Sequence, residues 1–173
     1  MTAILKKYRT FSQRLGAAII DAVIFLPLFF LGSWVFGPDE EKSIIWLLIQ
    51  NSIYFAYSVI GHSKYGFTVG KKLTNVKVVQ HIDESKLLTI TGAFKRELLG
   101  IVFVLVELFI IASGYADTYK GESLLMFCSL AWLFAELVTM LFNSKRRSVH
   151  DFIAGSVVID VKVYSAWEKK HDM

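Results

Sequence analysis

The chain has 173 residues, 54% of them apolar, a mean hydropathy of +0.49 and a formal net charge of +4. That balance places it in the membrane class rather than among ordinary soluble domains. A lone cysteine, Cys128, excludes an intrachain disulfide framework.

Residues 1–14 carry Lys6, Lys7, Arg9 and Arg14 and no acid. Arg14 to Phe36 follows, an apolar run holding a single carboxylate, Asp21, and one proline, Pro27. At about 1.5 Å per residue this run crosses a hydrocarbon core of roughly 30 Å. It is too long for a signal-peptide core and is followed by acidic residues, so it reads as a retained first span. The acidic turn Gly37 to Ser43 leads to a second span, 44–61, whose Asn51, Tyr54 and Ser58 recur at helical spacing. Residues 62–97 are different: seven Lys or Arg, three acids, and the stretch GFTVGKKL at the start. There, TNVKVVQ and KLLTI around HIDES read as two short strands and a turn, and GAFKRELL as a helix entering the bilayer from its basic end. Spans of about 98–116 and 123–142 follow, interrupted by Glu107 and Glu136 respectively. In the tail, 143–173, VVIDVKV reads as one more strand, able to join the other two in a small sheet.

The expected fold is an all-α membrane protein of one domain, 1–173, with four transmembrane helices and a small cytoplasmic portion containing short β-strands. All of the 19 Lys and Arg except Lys42 and Lys120 fall on one side of such a bundle. Basic residues near span ends stay in the cytoplasm, so both termini are expected there, in a multi-pass protein of the bacterial inner membrane. The basic pI reflects charge facing an acidic membrane surface, not nucleic-acid binding.

A carboxylate within a span costs about 2.5–3.5 kcal/mol on insertion scales and needs a partner, a cation, water or a proton. Counting residues from the span ends puts Asp21, Glu107 and Glu136 roughly 10–15 Å above the cytoplasmic face, with Asn51 at a similar level. The expectation is a shared ion-binding site of these four, where oxygen ligands suit a hard monovalent cation and crowding of acids lets a proton replace it. The competing reading is that each group only hydrogen-bonds a neighbouring helix. Arg14 shares a helix face with Asp21 but leans away from it, so its partner is a lipid phosphate or Asp151.

RLGAAIID in the first span, GFTVGKKL followed by VKVV, KRE at the start of the third span and RSVHDFIAGSVV near the end resemble the RDD family of bacterial membrane proteins. The resemblance covers roughly residues 8 to 163. It implies that Arg14 is the family's arginine, Asp21 its first aspartate and Asp151 its second, and that the protein transports ions or other ligands. Glu107 and Glu136 have no place in that pattern.

Other motifs carry less. Gly66 to Lys72 lacks the spacing and the hydroxyl of a phosphate-binding loop, and reads as a turn whose Lys71 and Lys72 meet lipid headgroups. Arg146 and Arg147 are expected at headgroups as well. His150–Asp151 reads as a helix start or ion pair instead of a metal site, and no cofactor or enzymatic cluster is expected. Two functions compete: exchange of a small cation for a proton, in a homo-oligomer because no internal repeat is present, and a non-transporting accessory that binds membrane partners or anionic lipid through its basic cytoplasmic face.

Overall fold

The structure is a computed structural model that describes residues 3–36, 40–113 and 119–171. The middle of the acidic turn, residues 37–39, and the end of the third expected span with its loop, 114–118, lie outside the described residues. Four long helices dominate: α2 (Phe11–Phe36), α3 (Glu40–Ile60), α5 (Ile90–Ala112) and α6 (Tyr119–Phe142). Between them and after them come short elements: α1 (Ala3–Lys6), a π-helical turn (Gly61–Tyr65), α4 (Val69–Leu73), β1 (Val76–Gln80), α7 (Val149–Ala154), β2 (Ser156–Asp160) and α8 (Val161–His171).

Two stretches, Phe11–Gly32 and Ile44–Tyr65, are long and apolar enough to cross a membrane, whereas Met126–Phe142 is apolar but shorter. The long helices turn large apolar side chains outward. Trp34 is 84% exposed, Phe109 73% and Phe134 68%, which a protein surrounded by water rarely permits over so wide a surface. α2 packs on α3 and α4, α3 on α5, and α7 on both α5 and α6. Aromatic edges join the long helices: Phe25 meets Tyr54 and Tyr57 at 5.4 and 5.2 Å, and Phe103 meets Trp132 at 6.1 Å.

The fully buried apolar residues concentrate elsewhere, around the two strands. β1 and β2 pair antiparallel, Val78 opposite Val158 and Val79 opposite Val157. Alternation sends Val79, Val157 and Ile159 to one face, against Tyr8 with Leu5 and Tyr164, and Val76, Val78 and Val158 to the other, against Leu88. Both faces are covered, so this small sheet has a dry interior of its own.

Two sequence expectations need correction. KLLTI is not a strand. Gln80 reaches across the loop to Lys86 O through its backbone N–H (3.0 Å) and to Leu87 O through its side chain (2.8 Å), and Thr89 then caps α5 by accepting from the Gly92 N–H. Its apparent alternation comes from Leu88 alone facing the sheet. The partner of β1 is the tail strand instead, and the final VKV of that tail opens α8, where Asp160 Oδ1 accepts from the backbone N–H groups of Lys162 and Val163.

Candidate functional site

Asp151 is completely buried and forms the centre of an ionic cluster. Its Oδ2 receives Arg14 Nη2 at 2.7 Å and Ser148 Oγ at 2.9 Å, while Oδ1 receives Arg96 Nη1 and, at 2.9 Å, Ser156 Oγ. The Ser148 N–H also donates to Oδ2 (3.1 Å), the returning half of a capping box that starts α7. Burial alone would raise this carboxyl; the two guanidiniums more than reverse that and hold it well below the usual carboxylate range. The arginines are pinned in turn. Arg14 Nη1 donates to Arg146 O (3.1 Å), and Arg147 donates to Ser156 O (2.9 Å) and Asp151 O (3.0 Å) with its guanidinium 4.2 Å from the Phe152 ring. One carboxylate thereby ties α2, α5, α7 and β2 together.

Arg96 Nη2 also contacts His150 Nε2 at 2.8 Å. A guanidinium only donates, so Nε2 accepts, the proton sits on Nδ1, and Nδ1–H donates to Glu136 Oε1 at 2.8 Å. Burial and the Arg96 charge both lower the His150 pKa, against the opposing pull of Asp151 and Glu136. Both imidazole nitrogens are committed, so His150 holds α6 to the cluster as a bridge.

Asp21 does a second docking task. Its Oδ1 accepts from Tyr57 hydroxyl (2.7 Å) and the Gly70 N–H (2.8 Å), and its Oδ2 from Thr68 Oγ1 (2.6 Å). These bonds fix the first turn of α4 against α2. The approach leaves no room for a side chain at position 70, since a Cβ there would collide with the Ala17 carbonyl oxygen and sit 2.9 Å from Asp21 Cγ. Gly70 is thus required for contact, whereas Gly66, at φ +80°, is required for its backbone angle.

Docking α4 in this way brings Lys71 to a cavity of about 250 Å³. The walls come from α3 (Tyr54, Phe55, Ser58), the π turn (His62), α5 (Arg96, Glu97, Leu99, Gly100), α6 (Trp132) and α7 (His150). Among the described residues no carboxylate lies within ion-pair distance of Lys71. Burial and the Arg96 guanidinium push its ammonium down to about 8, against the upward pull of Asp21 and Glu97. Glu97 Oε1 accepts from Ser58 Oγ at 2.6 Å, and His62 Nδ1 lies 3.2 Å from the same hydroxyl.

The four groups expected to share one ion site do not share partners. Asp21 is filled by Tyr57, Thr68 and Gly70; Glu136 belongs to His150; and Asn51 donates to Leu47 O of its own helix (2.8 Å) beside a separate cavity lined by Phe25 and Phe29. Glu107 is half-buried on α5. No cluster of three or more His, Cys, Asp or Glu able to hold a metal occurs among the described residues. Depth along a helix carries no information about rotation around its axis, and rotation decides the partners.

Two basic residues expected at headgroups turn inward: Lys71 to the cavity and Arg147 to the ionic cluster. Lys72 stays exposed, its ammonium 5.7 Å from the Phe67 ring. Arg146 contributes its carbonyl to Arg14 and adopts a left-handed backbone, φ 52°. The pairing of Arg14 with Asp151, by contrast, is as expected, and so is the helix start at His150–Asp151. Sequence reasoning missed Arg96, Glu97 and His62 as site residues. The first two lie in the KRE stretch, and that motif was the available signal.

No curated protein and no solved structure matches the chain. The RDD family model matches residues 8–155, a range that contains Arg14, Asp21, the docked α4, Arg96 and Asp151. The chain belongs to the RDD family.

Proposed function

We propose that the protein spans the bacterial inner membrane four times, with both termini in the cytoplasm, and exchanges a small monovalent cation for a proton through the cavity beside Lys71. The four-span reading draws support from the length of α5 and α6, 23 and 24 residues, and from their outward apolar side chains. The orientation follows from the distribution of Lys and Arg.

The observation that carries the exchange reading is Lys71, a basic side chain whose proton is held loosely beside an acid, Glu97, in one cavity. The charges around it come from every neighbouring element: Asp21 and Arg14 on α2, Arg96 and Glu97 on α5, His62 on the π turn and His150 on α7. Arg14 and Arg96 are held by Asp151, which offsets one of their two charges, and Lys71 and Glu97 are the pair left to respond to a newcomer. A cation approaching Glu97 repels the Lys71 proton, and departure of the proton deepens the site for the cation. One positive charge enters as one leaves, so the site's net charge is unchanged.

In this reading Asp21 positions Lys71 and does not bind the ion. The test is flux in proteoliposomes under an imposed pH gradient, across sodium, potassium and ammonium-type cations. Wild-type protein is expected to move cation against proton, Lys71→Met to lose the coupling to pH, and Glu97→Gln to lose the flux. Flux no greater than in protein-free vesicles for every cation would overturn the reading.

A further inference from the structure

The outward face of α3 runs into a groove at the end of the helix. Ile49, Ile53, Tyr57 and Ile60 recur every three or four residues as one stripe, and its three isoleucines are exposed. α3 and the π turn together make up one of the two stretches long and apolar enough to cross a membrane, so in a bilayer this stripe faces acyl chains. At its foot lies an open groove of about 450 Å³, walled by Tyr57 and Ile60 of α3, Tyr65 of the π turn, Phe67, and Val69 and Lys72 of α4. The Tyr65 and Phe67 rings stack with their centroids 6.3 Å apart.

The hydroxyls of the wall are already committed inside the protein. Tyr57 donates to Asp21 and accepts from the Val69 N–H at 2.7 Å, and Thr68 donates to Asp21. What remains for a ligand is apolar surface and one charge. Lys72 is the only charged residue among the described residues of the lining, and it has no ion pair among them. Its ammonium stays near the Phe67 ring, at the edge of the apolar wall.

The surroundings select the occupant. Tyr65 is 59% exposed and Leu73 64%, large apolar surface where the apolar helix has ended and lysines begin. Amphipathic rings beside lysines suit the membrane–water boundary. From Gly61 to Ile82 the chain holds Lys64, Lys71, Lys72 and Lys77 and no carboxylate. Lys64 is exposed on the π turn, and the Lys77 stem passes Gly66, which separates Tyr65 from Phe67. A second copy meeting this face symmetrically would bring lysines against lysines, with no acid from this stretch to pair them. A small soluble anion would find a lysine but leave the apolar wall bare. An anionic phospholipid satisfies both parts, its chain arriving along the α3 stripe and its phosphate stopping at the lysine.

We propose that the groove is a binding site for one anionic phospholipid, with the upper part of an acyl chain along Tyr57, Ile60 and Val69 and the phosphate on Lys72. The inference needs α3 to cross the membrane and does not need the exchange reading.

The experiment is native mass spectrometry of the purified full-length protein, titrated in detergent with phosphatidylglycerol, with phosphatidylcholine of the same chains, and with glycerol 3-phosphate as the headgroup without chains. The first phosphatidylglycerol is expected to bind about fivefold more tightly than the first phosphatidylcholine, the scale of one basic residue at an anionic surface, and glycerol 3-phosphate not to bind measurably. Lys72→Gln is expected to bring the two lipids to near equality. Lys95→Gln removes an exposed lysine at the start of α5, outside the groove, and is expected to leave the preference intact. Val69→Trp fills the groove and is expected to weaken the first adduct of both lipids. Equal affinity of the two lipids for wild-type protein would overturn the proposal, as would a loss in Lys95→Gln as large as in Lys72→Gln, which would mean diffuse charge. Glycerol 3-phosphate bound as tightly as the lipid would overturn it in favour of a soluble anion. A dimer forming in place of the lipid adduct, and lost in Val69→Trp, would overturn it in favour of a second copy. Both lysines are exposed, so their comparison decides the matter even if Val69→Trp fails to fold. Lipid preference without flux would sink the exchange reading alone, and flux without lipid preference would sink this inference alone.

Discussion

Arg96 stands between two regions that use similar residues in opposite ways. On one side is the Asp151 cluster, where two guanidiniums, two serine hydroxyls and a backbone N–H fill both carboxylate oxygens. On the other is the cavity, lined by Lys71, Glu97 and His62, where, among the described residues, no carboxylate lies within ion-pair distance of the lysine and one imidazole nitrogen has no partner. A fully satisfied buried charge network resists change, because removing any member strands the others. A partly satisfied one invites a ligand. The rigid half provides the fixed wall that the responsive half needs, and Arg96 spans both.

The largest break in this contrast is Asp151→Ala, which leaves the Arg14 and Arg96 guanidiniums buried without their counter-ion. Loss of one member of a buried pair costs about 3–5 kcal/mol, so thermal unfolding in detergent is expected to show a severely destabilised or unfolded protein. A melting temperature near wild type would mean that the cluster is not what holds these elements together.

Next come Asp21→Asn and Gly70→Ala, which attack one contact from its two sides. Each is expected to cost about 1–3 kcal/mol, the first through an imperfectly paired acceptor and the second through overpacking against α2. Since both loosen α4, the double variant is expected to lose less than the sum. Strict additivity would separate the two roles.

A subtler effect is the pH dependence contributed by Lys71. Its folded value of about 8 lies below the ordinary 10.5, so between these pH values the unfolded chain binds the extra proton. Stability contributed at this position therefore rises as pH rises through that window. Comparing unfolding of wild type and Lys71→Met from pH 7 to 10.5 is expected to show a slope in the first that the second lacks. Parallel curves would mean that Lys71 is solvated as a free lysine is.

The smallest expected effect is that of Asn51→Ala. Its amide serves its own helix beside a separate cavity, so cation exchange in vesicles is expected to stay at the wild-type level. A large drop in flux would extend the responsive region deeper along α3.

Much of this was legible in the sequence. Apolar runs of about twenty residues announce long helices whatever their neighbours, and the RLGAAIID and RSVHDF motifs carried the Arg14–Asp151 pairing. The residues of the cavity were harder to find. Depth along a helix can be counted, but which way a side chain turns depends on partners from four other elements, as the separate fates of Asp21 and Glu136 illustrate. The pairing of β1 with β2 joins segments 76 residues apart or more, and no local turn signal encodes it. KLLTI mimics a nearer partner because a single buried leucine, Leu88, produces the same alternation.

That long-range pairing has a bearing on biogenesis. The members of the buried ionic cluster emerge from the ribosome in the order Arg14, Arg96, Asp151, and the mate of β1 comes only after all three. A chain interrupted before Asp151 would therefore carry two stranded guanidiniums and a naked strand edge, both marks by which proteases and chaperones recognise unfinished protein.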